Sequence, residues 1–414
     1  MKRVVITGMG AVTSVGNTLN EYWFALINGR NGVGPITHFD ATKFKTKFAC
    51  EVKNLNPLNF FERSEVKKYS EYLQYSLIAV QEAIENADID FNTLNKNRIG
   101  VIWGSANGGI RTYENEMFEY AKGDGVPRFN PFMIPKMTIN MAPGLISMKY
   151  GLRGIMYSTV AACASSNSAI IAAMNYIRLG KADMFITGGG ESGIVVGGMG
   201  GCTVAKALSV SNDNPCIASR PFDVNRDGFV MGEGAGAIVI ESLEHAIKRG
   251  APVIAEIVGG GLATDAYHMT GSHPEGEGAY LSMMAALEDA DLQPSDIDYL
   301  NAHATSTPHG DISELKAIEK VFGSNPKLNI SATKSMIGHT LGAAGAIESI
   351  AAIKAVQEDL IHPTINSKNI EPEYANKFDF TLCQPVQKEV NYAMNNTFGF
   401  GGHCAVTIYK KFRG

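Results

Sequence analysis

Cys163 stands in Ser158-Thr-Val-Ala-Ala-Cys-Ala-Ser-Ser-Asn-Ser-Ala169, with only small residues beside it. Upstream, Tyr157 to Val160 is short and rich in β-formers, and Ala169 to Leu179 is a strong helix former that stops at Gly180. Strand, tight turn, cysteine and helix is the expected order, which holds a side chain at the mouth of a helix N-terminus. There the unpaired N–H groups and the helix dipole favour a thiolate, so the cysteine is predicted to be more reactive than a free thiol. Small neighbours let a substrate approach. The competing reading is a buried, inert cysteine capping a core helix.

Two histidine motifs bear on that choice. Asn301-Ala-His-Ala-Thr-Ser-Thr-Pro-His-Gly-Asp311 follows an apolar strand and puts His303 at its C-terminal end, with the Thr305 and Thr307 hydroxyls next to it. In α/β sheets that edge is where sites form. Asn329-Ile-Ser-Ala-Thr-Lys-Ser-Met-Ile-Gly-His-Thr-Leu-Gly-Ala-Ala-Gly345 repeats the arrangement, with a strand running into Lys334 and His339 at the start of an apolar helix. A lone histidine at a strand end is commonly structural, but two at strand–helix junctions beside a poised cysteine form a candidate site. The last motif, Asn395-Asn-Thr-Phe-Gly-Phe-Gly-Gly-His-Cys404, interleaves glycines with Phe398 and Phe400. Its backbone N–H groups can approach a substrate and its ring can swing; a glycine hairpin with two core phenylalanines is the plainer reading.

The elements that must position these residues alternate. Val4–Thr7 reads as a buried strand before Gly8-Met-Gly10, and a nucleotide fingerprint there fails because Thr13 occupies the position of its third glycine. A helix is expected over 62–87 and a strand over 98–105, ending in Ser105-Ala-Asn107-Gly-Gly109. Thr112 to Pro143, rich in proline, methionine and aromatics, reads as an insertion folded over the core. A second strand–helix series opens at Val253 and closes with a strand pair near the C-terminus. The expectation is an α/β protein of two similar halves in layers, 1–250 with the cysteine and 251–414 with both histidines and the glycine loop.

The 414 residues carry a net charge of −5 and no basic tract, which gives no reason to expect nucleic-acid binding. The six cysteines show no CxxC pair and no clustering with histidine, so neither a metal site nor a disulfide framework is expected and a cytoplasmic location is. No apolar run reaches the ~20 residues a membrane span needs.

Cys163 in Ala-Ala-Cys-Ala-Ser-Ser, His303 in Asn-Ala-His-Ala-Thr-Ser-Thr-Pro, His339 in Lys-Ser-Met-Ile-Gly-His and the Gly-Phe-Gly-Gly402 loop closely resemble the β-ketoacyl-[acyl-carrier-protein] synthases, in particular the elongating synthase II type. The resemblance covers nearly the whole chain, in order, with spacings of 140 and 36 residues between Cys163, His303 and His339. It implies a thiolase-like fold layered α-β-α-β-α, and a homodimer. It also implies a decarboxylating Claisen condensation with no resident cofactor, the phosphopantetheine arriving on the acyl carrier protein.

By the same resemblance Cys163 carries the acyl chain as a thioester, and the Cys163 and Phe400 N–H groups form an oxyanion hole. His303 and His339 stabilise the enolate left by decarboxylation of malonyl carrier. Lys334 fixes the histidines electrostatically, with Glu314 as its expected partner. Thr305 and Thr307 hydrogen-bond the pantetheine arm, and Phe400 gates the site with Phe398 and Gly399 beside it. Lys67, Lys68 and Lys206 are the expected dock for an acidic carrier. Departures bear on the substrate: Asn107 stands where an apolar pocket residue is usual, Ala162 replaces a commoner threonine, and Ala304 a glycine. A specialised polyketide or aryl-polyene synthase, paired with a cysteine-less chain-length-factor subunit, is the alternative. Thiolase, which needs a second catalytic cysteine, finds no suitable context at Cys383 or Cys404.

Overall fold

The computed structural model describes residues 1–414. The first half contributes strands β1 (Val4–Val12), β2 (Ile99–Gly104), β3 (Met156–Thr159), β4 (Met184–Glu191) and β5 (Gly234–Ser242). Its main helices are α1 (Glu71–Asn86), α2 (Met141–Tyr150) and α3 (Ser165–Arg178). The second half adds β6 (Ala255–Thr264), β7 (Tyr299–Asn301), β8 (Asn325–Ser331), β9 (Phe378–Phe380), β10 (Tyr392–Gly399) and β11 (His403–Lys411). With them come α4 (Glu277–Ala290), α5 (Pro308–Phe322) and α6 (Ala344–Glu358).

Strand order reads β3-β2-β4-β5-β1 in the first half and β8-β7-β10-β11-β6 in the second, with β9 added outside β8. The directions repeat as well: three parallel neighbours, then two antiparallel steps. The two half-sheets are not separate, because Val4–Ile6 of β1 pairs with Ala255–Ile257 of β6 and joins all eleven strands. The twist that accumulates across so many strands turns the halves to face each other.

Between them lie α3 and α6, which touch each other and strands of both halves, while α1 and α4 cover the outer faces. The layers are therefore α-β-α-β-α, as expected. Every residue of α6 from Ala344 to Val356 is buried, which only a helix apolar nearly all round tolerates. Ile347, Ile350 and Ile353 on it are fully buried, each worth roughly 1.5–3 kcal/mol relative to exposure.

The expected helix over 62–87 is two helices, Arg63–Val66 and Glu71–Asn86. A capping box between Glu62 and Glu65 opens the first, and the chain breaks at extended Ser70 before the second begins. Thr112–Pro143 contains a helix at Ile110–Lys122 and a short one at Met133–Met137, and leaves Phe118, Tyr120, Phe129, Phe132 and Ile134 exposed. No helix is long and apolar enough to cross a membrane.

Candidate active site

The C-terminal ends of six of the parallel strands converge on one place. β2 leads to Asn107, β3 to Cys163 and β4 ends at Glu191; β7 leads to His303, β8 to Lys334 and His339, and β10 to Phe400. By the repeat of strand order, the turn of Cys163 and the turn of His339 are equivalent positions of the two halves. These turns and the turn of His303 are strained: Ala162, Ala304, Ser306 and Leu341 all have positive φ, of 48°, 30°, 70° and 47°. Such conformations cost of order 1–3 kcal/mol each and persist where the surroundings over-determine them.

His339 Nε2 lies 3.0 Å from Cys163 Sγ. The His303 and His339 rings meet edge to face at 5.3 Å, with Phe398 at 5.6 Å from His303 and Phe229 at 5.3 Å from His339. Burial holds both imidazoles well below their ordinary pKa, and the Lys334 ammonium pushes further the same way, so both rings are neutral. Nδ1 of each ring has no protein partner, so neither tautomer is locked and each Nε2 can accept or donate.

The expectation of a resting thiolate needs correction. Burial pushes the Cys163 thiol up to about 12, against the downward pull of Lys334 and of the Phe400 N–H. Cys163 lies two residues before α3, where the dipole of the helix does not outweigh desolvation. At rest the sulfur is a thiol facing a neutral imidazole. Next to it, a Cβ on Gly399 would lie 2.8 Å from the Cys163 nitrogen, so only glycine lets this strand end run against the cysteine.

Lys334 is nearly fully buried, and its partner is Glu348 of α6, not Glu314. Glu348 also accepts from the Thr333 hydroxyl at 3.1 Å. Glu314 holds the turn after β7 instead, accepting from the backbone N–H of His303 at 2.8 Å and Ala304 at 2.7 Å. The Asn396 amide of β10 donates to the same carboxylate at 3.1 Å, tying the glycine-loop strand to the histidine turn. His339 is set between two short helical turns, not at the start of α6, and its backbone is held by Val230 O at 2.7 Å and Gly232 N at 2.9 Å.

A cavity of about 600 Å³ joins Cys163, His303, His339, Thr305, Thr307, Asn107, Phe398, Gly399, Phe400 and Lys206. Thr305 and Thr307 hydroxyls lie 3.0 Å apart. Phe400 is half exposed, consistent with a ring free to move. Lys334 sits behind the cavity wall. Lys67 and Lys68 are exposed but line no part of the cavity, and Lys68 Nζ lies 5.6 Å from the centroid of the Phe132 ring. Sequence reading passed over Cys202, Phe229 and Leu341, which also line the cavity, and Glu191 behind it. A carboxylate closing a strand of glycines was the available signal for the last.

Two family models cover the chain: beta-ketoacyl synthase, N-terminal domain, over residues 1–246, and beta-ketoacyl synthase, C-terminal domain, over 254–368. The chain is similar to the 3-oxoacyl-[acyl-carrier-protein] synthase 2 of Synechocystis, with 43% identity over all of the chain and 99% of the relative. It is 44% identical to the chloroplastic 3-oxoacyl-[acyl-carrier-protein] synthase I of Arabidopsis thaliana, over 100% of the chain and 87% of that protein. Among solved structures, the ishigamide ketosynthase/chain length factor superposes with a TM-score of 0.93 at 30% identity, both chains fully covered. A type II polyketide-synthase acyl-carrier protein complex with its ketosynthase bound to the hexaketide matches at 0.89 and 32%, covering 99% of this chain and 100% of that one.

Proposed function

The chain belongs to the β-ketoacyl synthase family, and on that premise we propose how its residues carry out the 3-oxoacyl-[acyl-carrier-protein] synthase reaction of fatty-acid synthesis. The 3.0 Å contact between His339 Nε2 and Cys163 Sγ carries the reading. An acyl chain arrives as a thioester on its carrier. The Cys163 sulfur attacks the carbonyl carbon while its proton passes to His339 Nε2, and the oxyanion is held by the N–H groups of Cys163 and Phe400. The intermediate collapses, the pantetheine sulfur leaves with the proton as a thiol, and the chain stays on Cys163.

Malonyl carrier enters next, its arm hydrogen-bonded by Thr305 and Thr307. Loss of CO2 leaves an electron pair on the α-carbon, delocalised onto the thioester oxygen, which His303 and His339 stabilise by donating Nε2–H. Neutral imidazoles suit this step, since carboxylates would repel both malonate and enolate. The carbanion then attacks the Cys163 thioester carbonyl; the C–S bond breaks, the β-ketoacyl carrier leaves, and the Cys163 thiolate takes up one proton from solvent to restore the thiol. Lys334, paired with Glu348, keeps both imidazoles neutral and so is a positioning residue. Phe400 opens and closes the approach, with Phe398 and Gly399 completing the loop.

The same proposal assigns 1–250 and 251–414 to the two halves that supply nucleophile and histidines. It places the acidic carrier at the cavity mouth, where Lys206 is exposed, with Lys67 and Lys68 farther along its surface. Pairing with a second copy is supported by β3, an edge strand with Met156 about half exposed and the exposed Val160 just beyond its end. A cytoplasmic setting fits six cysteines that are all unpaired. The test is reconstitution with acyl and malonyl carriers: β-ketoacyl product two carbons longer is expected, and none from His303→Ala.

A second reading, elongation within a specialised polyketide or aryl-polyene pathway beside a cysteine-less paralogue, is favoured by the Asn107 amide lining the cavity. It predicts extension of aryl or unsaturated chains only, and only with the second subunit present. The same reconstitution, run with both sets of carriers, separates the two.

A further inference from the structure

β4 ends at Glu191, whose side chain is fully buried. Its carboxylate faces two turns at once. One oxygen accepts from the backbone N–H of Ala106 at 2.8 Å and of Gly342 at 3.1 Å; the other accepts from Asn107 N–H at 3.2 Å. Ala106 and Asn107 belong to the turn after β2, and Gly342 to the turn that carries His339 and Leu341. The turns abut, since a Cβ on Gly342 would lie 2.3 Å from the Ala106 nitrogen.

Both turns are cavity walls. Asn107 and Leu341 line the cavity with Cys163, and a Cβ on Gly193 would lie 2.9 Å from Leu341 Cδ1 and 3.7 Å from Asn107 Nδ2. The carboxylate is in no ion pair: burial pushes it up to about 7, and the three backbone N–H groups and the Asn107 amide pull it back. A buried carboxylate held this way is costly to keep. An apolar residue would fill the space at less cost but would leave three buried N–H groups without an acceptor.

We infer that Glu191 is the positioning residue that sets acyl-chain selectivity, by fastening the Asn107 turn against the Leu341 turn and so fixing the branch of the cavity beside Cys163. The inference rests on the reading that the Cys163-bound chain occupies that branch. It separates two tasks that the site performs. Malonyl decarboxylation depends on His303 and on His339, whose backbone Val230 and Gly232 hold independently of Glu191, whereas accommodation of the chain depends on walls that Glu191 holds.

Glu191→Gln keeps the size but turns one acceptor oxygen into a donor that opposes a backbone N–H, releasing one turn. The ratio of kcat/KM for loading hexanoyl over dodecanoyl carrier should shift by about tenfold, the factor that a change of 1.4 kcal/mol produces. The kcat of malonyl-carrier decarboxylation should stay within twofold, which a general loss of structure would not allow. Glu191→Asp keeps the charge one methylene short and should move the ratio less than Gln does; it also carries the measurement if Gln does not fold. A ratio unchanged in folded variants overturns the role of Glu191. Asn107→Trp, which fills the branch, tests the underlying reading separately. Dodecanoyl loading at the wild-type rate in that variant would place the chain elsewhere.

Discussion

His339 Nε2 stands 3.0 Å from Cys163 Sγ across 176 residues of sequence, on equivalent turns of the two half-sheets. Neither turn alone makes a site. The thiol is raised by burial and the imidazole is lowered by it, so the contact pairs a neutral donor with a neutral acceptor. On the proposed mechanism, nucleophilicity comes from proton transfer as the substrate carbonyl arrives. His339→Ala should slow single-turnover acylation of Cys163 by about 10²–10⁴, the usual span for a general base. Rapid-quench mass measurements read this directly, and an unchanged rate would mean that the sulfur needs no base.

Gly399→Ala tests the oxyanion hole. The added methyl would sit 2.8 Å from the Cys163 nitrogen and push the Phe400 N–H out of line. Loss of one such donor costs about 10²–10³ in rate. Acylation by the folded variant should fall by that order, and the melting temperature should fall as well, because the methyl meets the backbone of Cys163 and Ala161.

The Lys334–Glu348 pair sits with both side chains about 1% exposed. Removing one partner strands the other, so Lys334→Met or Glu348→Leu alone should cost about 3–5 kcal/mol in denaturant unfolding. The double variant should recover much of that stability but not the decarboxylation rate, because Lys334 also helps to hold the histidines neutral. Recovery of both would remove Lys334 from the mechanism.

Acid stability follows from opposing groups. His303, His339 and His362 are buried with lowered pKa values, so below 6.5 the unfolded chain takes up protons that the folded one refuses, and stability falls. Glu191, Glu314 and Asp311 are buried with raised values, so the folded chain takes up protons first as pH drops from about 7, and stability rises. The two sets act in opposite directions. His362, held at about 4 against an ordinary 6.5, lies in a core network with Tyr299 and not in the cavity. His362→Gln should therefore tilt the pH dependence of stability toward acid by about 1.4 kcal/mol per pH unit. Urea midpoints between pH 5 and 6.5 measure the tilt, and an unchanged slope would mean that His362 is protonated in the folded chain.

Much of this was legible in the sequence because local signals and site chemistry coincide. Cys163 among small residues, His303 at the end of an apolar run and the glycines around Phe400 each follow from strand-end geometry, and each lies in the cavity. The alternation of strands and helices gave the layers. What sequence could not supply was long-range pairing. Glu314 and Glu348 are both buried acids on helices near the histidines, and only the fold puts Glu348 beside Lys334 and Glu314 beneath His303. The β1–β6 seam is likewise a matter of three residue pairs that no periodicity announces. The resting protonation of Cys163 is not legible in the sequence, because helix position is visible there and depth of burial is not.

The central claim is that Cys163 carries the acyl chain. Intact-mass analysis after mixing the protein with acyl carrier, wild type beside Cys163→Ala, tests it most directly. The account predicts a mass increase equal to one acyl group, mapped to the peptide holding Cys163, absent from the Ala variant and discharged by malonyl carrier as β-ketoacyl product. Condensation without an acylated Cys163 intermediate, or loading that survives in Cys163→Ala, would contradict it.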